Sequence, residues 1–165
     1  MKKLFTLLAL TISFSINAQM SDNSSGTSAT ASNSVAMGYD TTASGNTSTA
    51  MGGDSTASGD YSVAMGNRTT ASVYGSTAMG YFTTASGAYS IAMGASTTAS
   101  GGYSTAMGLG TTASGSGSTA MGYFTIASDF ASVVIGQWNS SGSSVTNNAT
   151  SFSTSNTAFV IGNGT

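Results

Sequence analysis

The pentapeptide SVAMG at Ser34 to Gly38 returns at Ser48, Ser62, Ser76, Ser90, Ser104, Ser118 and Ser132 with at most two letters changed, always fourteen residues on and without an insertion. Between these copies runs TTASG, at Thr41 to Gly45, which returns closely at Ser55, Thr69, Thr83, Thr97, Thr111 and Thr125. So strict a period implies one supersecondary unit stacked on copies of itself. Fourteen residues are close to four helical turns, which would admit a two-heptad coiled coil. Each unit, however, carries glycine twice, as at Gly38 and Gly45, and an interior glycine costs a helix about 1 kcal/mol relative to alanine. A β reading suits the same letters. The column Val35, Thr49, Val63, Thr77, Ile91, Thr105, Thr119 and Val133 is β-branched throughout. The glycine columns lie half a period apart, so the expected unit is a coil of two short strands with a turn at each glycine, and stacked coils make two parallel sheets. Collagen needs glycine at every third position and is excluded, and Pro is absent. The GGxGxD repeat of calcium-binding rolls does not occur.

Strand alternation sorts the side chains. Ser34, Ala36 and Gly38 are expected to point into the coil, and Ala43 with its repeats Ala57, Ala71, Ala85, Ala99, Ala113 and Ala127 faces them, giving a thin core of Ala and Ser. Val35 and Met37 then point outward. Their repeats, Met51, Val63, Met65, Met79, Ile91, Met93, Met107, Met121 and Ile135, form an apolar stripe along the roll. Burying one Met is worth roughly 1.5 to 3 kcal/mol, so the seven in register offer on the order of 10 to 20 kcal/mol per chain as an upper bound. A stripe of that kind marks an interface with a copy of itself, and an obligate homo-oligomer is expected.

Lys2 and Lys3, the apolar run from about Leu4 to Ile16 and the small Ala18 read as a secretory leader over residues 1–18. The apolar run is too short for comfortable membrane insertion. With the leader set aside, Arg68 stands alone against Asp22, Asp40, Asp54, Asp60 and Asp129. A single Arg cannot supply the phosphate contacts that nucleic-acid binding requires. Secretion permits disulfides, yet Cys is absent, so packing, backbone hydrogen bonds or assembly must hold the fold. His and Glu are absent as well, which removes the usual general bases and most metal-ligand sets. No catalytic residue, cofactor site or metal site is assigned. Asp54 and Asp60 fall near opposite turns of one coil and read as solvated turn residues.

The segment NSVAMG at Asn33 to Gly38, followed by TTASG and again by SxAMG, resembles the YadA-like head of trimeric autotransporter adhesins. The resemblance covers Asn33 to about Gly136. It implies an all-β fold, a left-handed parallel β-roll (solenoid) of 14-residue coils, homotrimeric, in which the larger residues of the SxAxG strand pack about the three-fold axis. It further implies a secreted protein on the cell surface of a Gram-negative bacterium, a non-enzymatic adhesin head with a host matrix protein or glycan as partner. The family's coiled-coil stalk and C-terminal membrane barrel have no counterpart here. The tail NTAFVIGNGT at Asn156 to Thr165 resembles a segment leading toward a tail-fibre-type trimerisation domain, and a fragment of a longer surface protein is expected. The domains are then a leader at 1–18, a polar segment and entry to the roll at 19–32, head repeats at 33–138, and a polar linker with the start of a following segment at 139–165.

Near the end of the repeats Asp129 replaces Gly, and Val134 replaces the inward Ala just before Ile135 and Trp138, so a wider final coil is expected to close the roll. Tyr81, Phe82, Tyr123 and Phe124 share one turn, three coils apart, and are the candidate ligand contacts. Tyr61, Tyr89 and Tyr103 occupy the other turn. Outward Thr42 and Ser44, with their repeats, form a flat hydroxyl ladder that keeps an almost uncharged roll soluble. The alternative functions are ice binding through that ladder and service as a stiff spacer in a fibre.

Overall fold

The computed structural model describes residues 20–21, 26–139 and 159–163; the expected leader and the linker from Ser140 to Ser155 lie outside the described residues. The chain winds into a parallel β-solenoid of about 8 turns with 14-residue coils. One strand of each coil is long: β3 (Val35–Tyr39), β5 (Thr49–Gly53), β7 (Val63–Asn67), β9 (Thr77–Tyr81), β11 (Ile91–Ala95), β13 (Thr105–Leu109), β15 (Thr119–Tyr123) and β17 (Val133–Gln137). The other has two residues: β2 (Ser28–Ala29), β4 (Thr42–Ala43), β6 (Thr56–Ala57), β8 (Thr70–Ala71), β10 (Thr84–Ala85), β12 (Thr98–Ala99), β14 (Thr112–Ala113) and β16 (Ile126–Ala127). The long strands, with β1 (Met20–Ser21) at one end and β18 (Phe159–Asn163) at the other, make a 10-stranded parallel sheet, and the short strands make an 8-stranded one.

The core follows from the alternation. Ala36, Ala50, Ala64, Ala78, Ala92, Ala106, Ala120 and Val134 from the larger sheet meet Ala43 through Ala127 from the smaller, all fully buried. Val134 is the largest of the fully buried side chains. The Ser column closes one turn. Ser34, Ser76, Ser90 and Ser132 each donate a hydroxyl to the carbonyl three residues back, at 2.8, 2.7, 2.7 and 2.9 Å. A second polar column is also fully buried, Thr41, Ser55, Thr69, Thr83, Thr97, Thr111 and Thr125, because it precedes the outward residue of each short strand and so points inward with Ala43. The core therefore holds a Thr column beyond the Ala and Ser expected there.

The turns correct another expectation. Gly38 lies inside β3 and is half-buried, neither a turn residue nor core. Its φ is 121°, and a Cβ there would overlap the carbonyl oxygen of Gly52 on the next coil, so glycine is needed for torsion and close approach together. The turns pivot instead on residues with φ between 46° and 77°, one in every seven from Gly26 to Trp138. Most are not glycine: Asn33, Asp40, Thr47, Asp54, Tyr61, Arg68, Phe82, Tyr89 and Trp138 are among them. Each such residue costs about 1 to 2 kcal/mol relative to ordinary torsions. The backbone overrides that cost through hydrogen bonds to the preceding coil, as from the N–H of Tyr61 to the Asn46 carbonyl at 2.8 Å and from that of Phe82 to the Asn67 carbonyl at 3.0 Å.

Pairing also continues at both ends of the repeats. At the N-terminal end, Ser28–Ala29 already pairs with Thr42–Ala43, so coil structure precedes Asn33. At the C-terminal end the larger sheet does not close at Trp138. β18 pairs in register on β17, Phe159 beside Val133 and Ile161 beside Ile135. Among the described residues the smaller sheet ends at β16, where the side-chain amide of Asn139 bonds the Ile126 backbone as another strand would: its Oδ1 accepts from the Ile126 N–H at 2.7 Å and its Nδ2 donates to the Ile126 carbonyl at 2.9 Å.

Candidate functional site

Three surfaces carry what the roll offers a partner. The first is the outward face of the larger sheet, where parallel pairing aligns Met37, Met51, Met65, Met79, Met93, Met107, Met121 and Ile135 in one unbroken rank. Ile161 extends it by one strand. Strands about 4.8 Å apart let neighbouring Met side chains cover one another, so most are half-buried. Met37 and Met65 still expose 37% of their surface and Ile91 38%. Val35 and Val63, in the parallel column, are half-buried. Every residue expected in the apolar stripe therefore lies on this one face, interleaved with Thr49, Thr77, Thr105 and Thr119.

The second surface is the pair of turn edges. At one edge the rings of Tyr81 and Phe82 meet at 4.4 Å and 84°, and the Arg68 guanidinium lies 4.9 Å from the Phe82 centroid while its Nε contacts Asp54 Oδ2 at 3.3 Å. Two coils intervene before Tyr123 and Phe124, which join Trp138; the Phe124 and Trp138 rings stack at 4.5 Å and 8°. Ser96 and Gly110 fill the turn between, so the four candidate aromatics form two clusters and not one ridge. Trp138, expected as part of a closing coil, belongs to the second.

The other edge carries a continuous ladder, Tyr61, Tyr74, Tyr89 and Tyr103, with successive centroids 5.3 Å apart. Tyr74 escaped the sequence reading because it stands one position ahead of the turn column, where Gly75 takes the left-handed torsion. A Cβ on Gly75 would lie 2.8 Å from Tyr89 Cδ1. Desolvation among these rings, and then the nearby Tyr89, Tyr61 and Asp60, push the Tyr74 phenol above its ordinary value of 10.0. Asp60 accepts from the Asn46 backbone N–H at 2.8 Å and Nδ2 at 3.2 Å. Asp54 and Asp60 are thus each engaged at their own turn. Among the described residues no group of three or more His, Cys, Asp or Glu is placed to hold a metal.

The third surface is the smaller sheet, where Thr42, Thr56, Thr70, Thr84, Thr98 and Thr112 pair in strict register until Ile126 ends the rank. Ser44, Ser58, Ser72, Ser86 and Ser100 form an exposed second rank beside it. The face is hydroxylated and carries no charged side chain from Thr42 to Ser100 in these two ranks.

A comparison with curated proteins returned no match. The family described as YadA head domain repeat (2 copies) matches at residues 25–41, 29–55, 43–69, 71–97 and 99–125, which together span more than half of the chain. The chain belongs to the YadA head repeat family.

Proposed function

We propose that this chain is the secreted, homotrimeric head of a bacterial surface adhesin, a left-handed roll whose Met rank lies at the trimer interface. The family is one of adhesins, generally non-enzymatic, and its heads in general form homotrimers on the bacterial cell surface. The observation that carries the reading is the rank itself. An in-register apolar line from Met37 to Ile161 lies outside the core of a single chain, and an exposed patch of that extent on a repeat surface is matched by the same patch on a symmetry mate. Val35, Val63 and Ile91 flank the rank and complete the interface. The mechanism is geometric: a stiff roll holds three copies of each turn edge in fixed relation, and weak contacts made by three copies together bind with avidity. Tyr81 with Phe82, and Tyr123 with Phe124, are the contacts offered to a matrix protein or glycan.

Sedimentation equilibrium on residues 19–165, alone and with Met65→Lys, Met79→Lys and Met93→Lys combined, tests the assembly. The expected result is a trimer that dissociates in the variant. A folded, stable wild-type monomer would overturn the proposal. The hydroxyl face would then be the better functional candidate, since the strict register of Thr42 through Thr112 presents a regular lattice, and ice shaping is its assay.

A further inference from the structure

The tyrosine ladder is neither core nor part of the proposed interface, and its members differ in a way that the backbone explains. Tyr89 and Tyr103 both sit at the left-handed pivot of their coils, with φ of 56° and 58°. Each donates its backbone N–H to the coil before, at 2.9 and 2.8 Å. Identical torsions on successive coils project identical side-chain vectors, so the second ring is nearly a translated copy of the first: 5.3 Å between centroids and 11° between planes. Tyr74 leaves the chain one residue earlier and meets its neighbours at 59° and 68°. Tyr89 and Tyr103 expose 49% and 68% of their surface. The sequence holds no Cys, so no thiol competes for an oxidising equivalent.

We propose that Tyr89 and Tyr103 are a site of intrachain dityrosine formation by a haem peroxidase acting with hydrogen peroxide. Each phenol gives up one electron and one proton to become a phenoxyl radical. The two radicals join through a bond between their ortho carbons, and the two ring hydrogens displaced from those carbons move to the oxygens, restoring both phenols. The peroxide takes up the two electrons and two protons and leaves as two molecules of water, so the protein loses two hydrogen atoms in all. Radical coupling needs two rings held side by side for the lifetime of the radicals, and the shared pivot provides that alignment. The product staples two successive coils at their exposed edge, a covalent tie in a roll that has no disulfide.

The test treats the secreted chain with horseradish peroxidase and hydrogen peroxide, separates it on a denaturing gel, and reads dityrosine fluorescence and tandem mass spectra from each band. The expected result is fluorescence in the band of single-chain mass, with a Tyr89–Tyr103 cross-linked peptide two hydrogen atoms lighter than the sum of its parts. Tyr103→Phe keeps the stacked ring and the fold, checked by circular dichroism, and should lose most of that fluorescence. Dityrosine confined to bands of two or three chains would overturn the assignment. So would an undiminished single-chain signal in Tyr103→Phe, or no cross-link in a correctly folded wild-type chain.

Discussion

The buried threonine column makes a quantitative demand on the fold. Thr83, Thr97 and Thr111 are fully buried, and their hydroxyl oxygens have no hydrogen-bond partner among the described residues. Thr69, in the same column, donates its hydroxyl to Ser55 Oγ at 2.9 Å. Val has nearly the shape of Thr, so Thr→Val at these positions exchanges a hydroxyl for a methyl with little change in packing. A buried hydroxyl left unpaired costs about 1 to 3 kcal/mol. Taking the low end for each site, the combined Thr83→Val, Thr97→Val and Thr111→Val chain gains about 3 kcal/mol. For a chain of this size that raises the thermal midpoint by roughly 6 to 12 °C. Thr69→Val removes a made hydrogen bond and should lower stability by about 1 kcal/mol. Thermal melts of wild type, the triple variant and Thr69→Val, followed by far-ultraviolet circular dichroism, read both signs at once. A triple variant that melts lower than wild type would refute the reasoning, since the hydroxyls would then have partners inside the roll.

Three further outcomes follow from the turns and the capped edge. Ala131 holds a left-handed torsion of 54° with only a methyl side chain to lose, so Ala131→Gly should stabilise by roughly 0.5 to 1 kcal/mol in urea titration after allowing for glycine's freer unfolded state. A lower urea midpoint would count against strain at that pivot. The Tyr74 phenol has a raised pKa in the fold. The neutral form is therefore favoured by folding, its contribution is complete below pH 10.0 and is lost as pH rises through the folded value. The melting midpoint should fall above that pH, less steeply in Tyr74→Phe; identical alkaline profiles would contradict it. Asn139→Ala strips the cap from β16 and should accelerate amide hydrogen exchange at Ile126 while leaving Ile91 protected; unchanged exchange at Ile126 would show that the cap is dispensable.

What the sequence made legible was whatever the pleat repeats. Ala36 and Ala43 inside, Met37 outside and the parallel stacking all follow from period two within period fourteen, and the structure has them so. The pivots were not legible. Their column runs through Asp40, Asp54, Arg68, Phe82, Ser96 and Gly110, and no residue type marks it because inter-coil hydrogen bonds, more than side-chain preference, set the torsion. Gly38 misled for the opposite reason, since a conserved spacing of glycine suggested a turn where the neighbouring coil's backbone needed the space. Tyr74 stood out of column. β18 lay beyond an interruption of the period, although FVIGN at Phe159–Asn163 repeats the pattern of VVIGQ at Val133–Gln137, and comparing those two strings would have found it.

The central claim is that the Met face is where three chains meet, and one engineered thiol tests it in a protein that has none. If that face is the trimer interface as proposed, the thiols of neighbouring chains in Met93→Cys would converge on the axis, so mild oxidation should link chains in pairs, with one chain of each trimer left over, and a denaturing gel without reductant should show dimer and monomer. Thr98→Cys, on the smaller sheet, should remain monomeric under the same oxidation. Efficient linkage through Thr98→Cys with none through Met93→Cys would place the interface on the hydroxyl face and contradict the account.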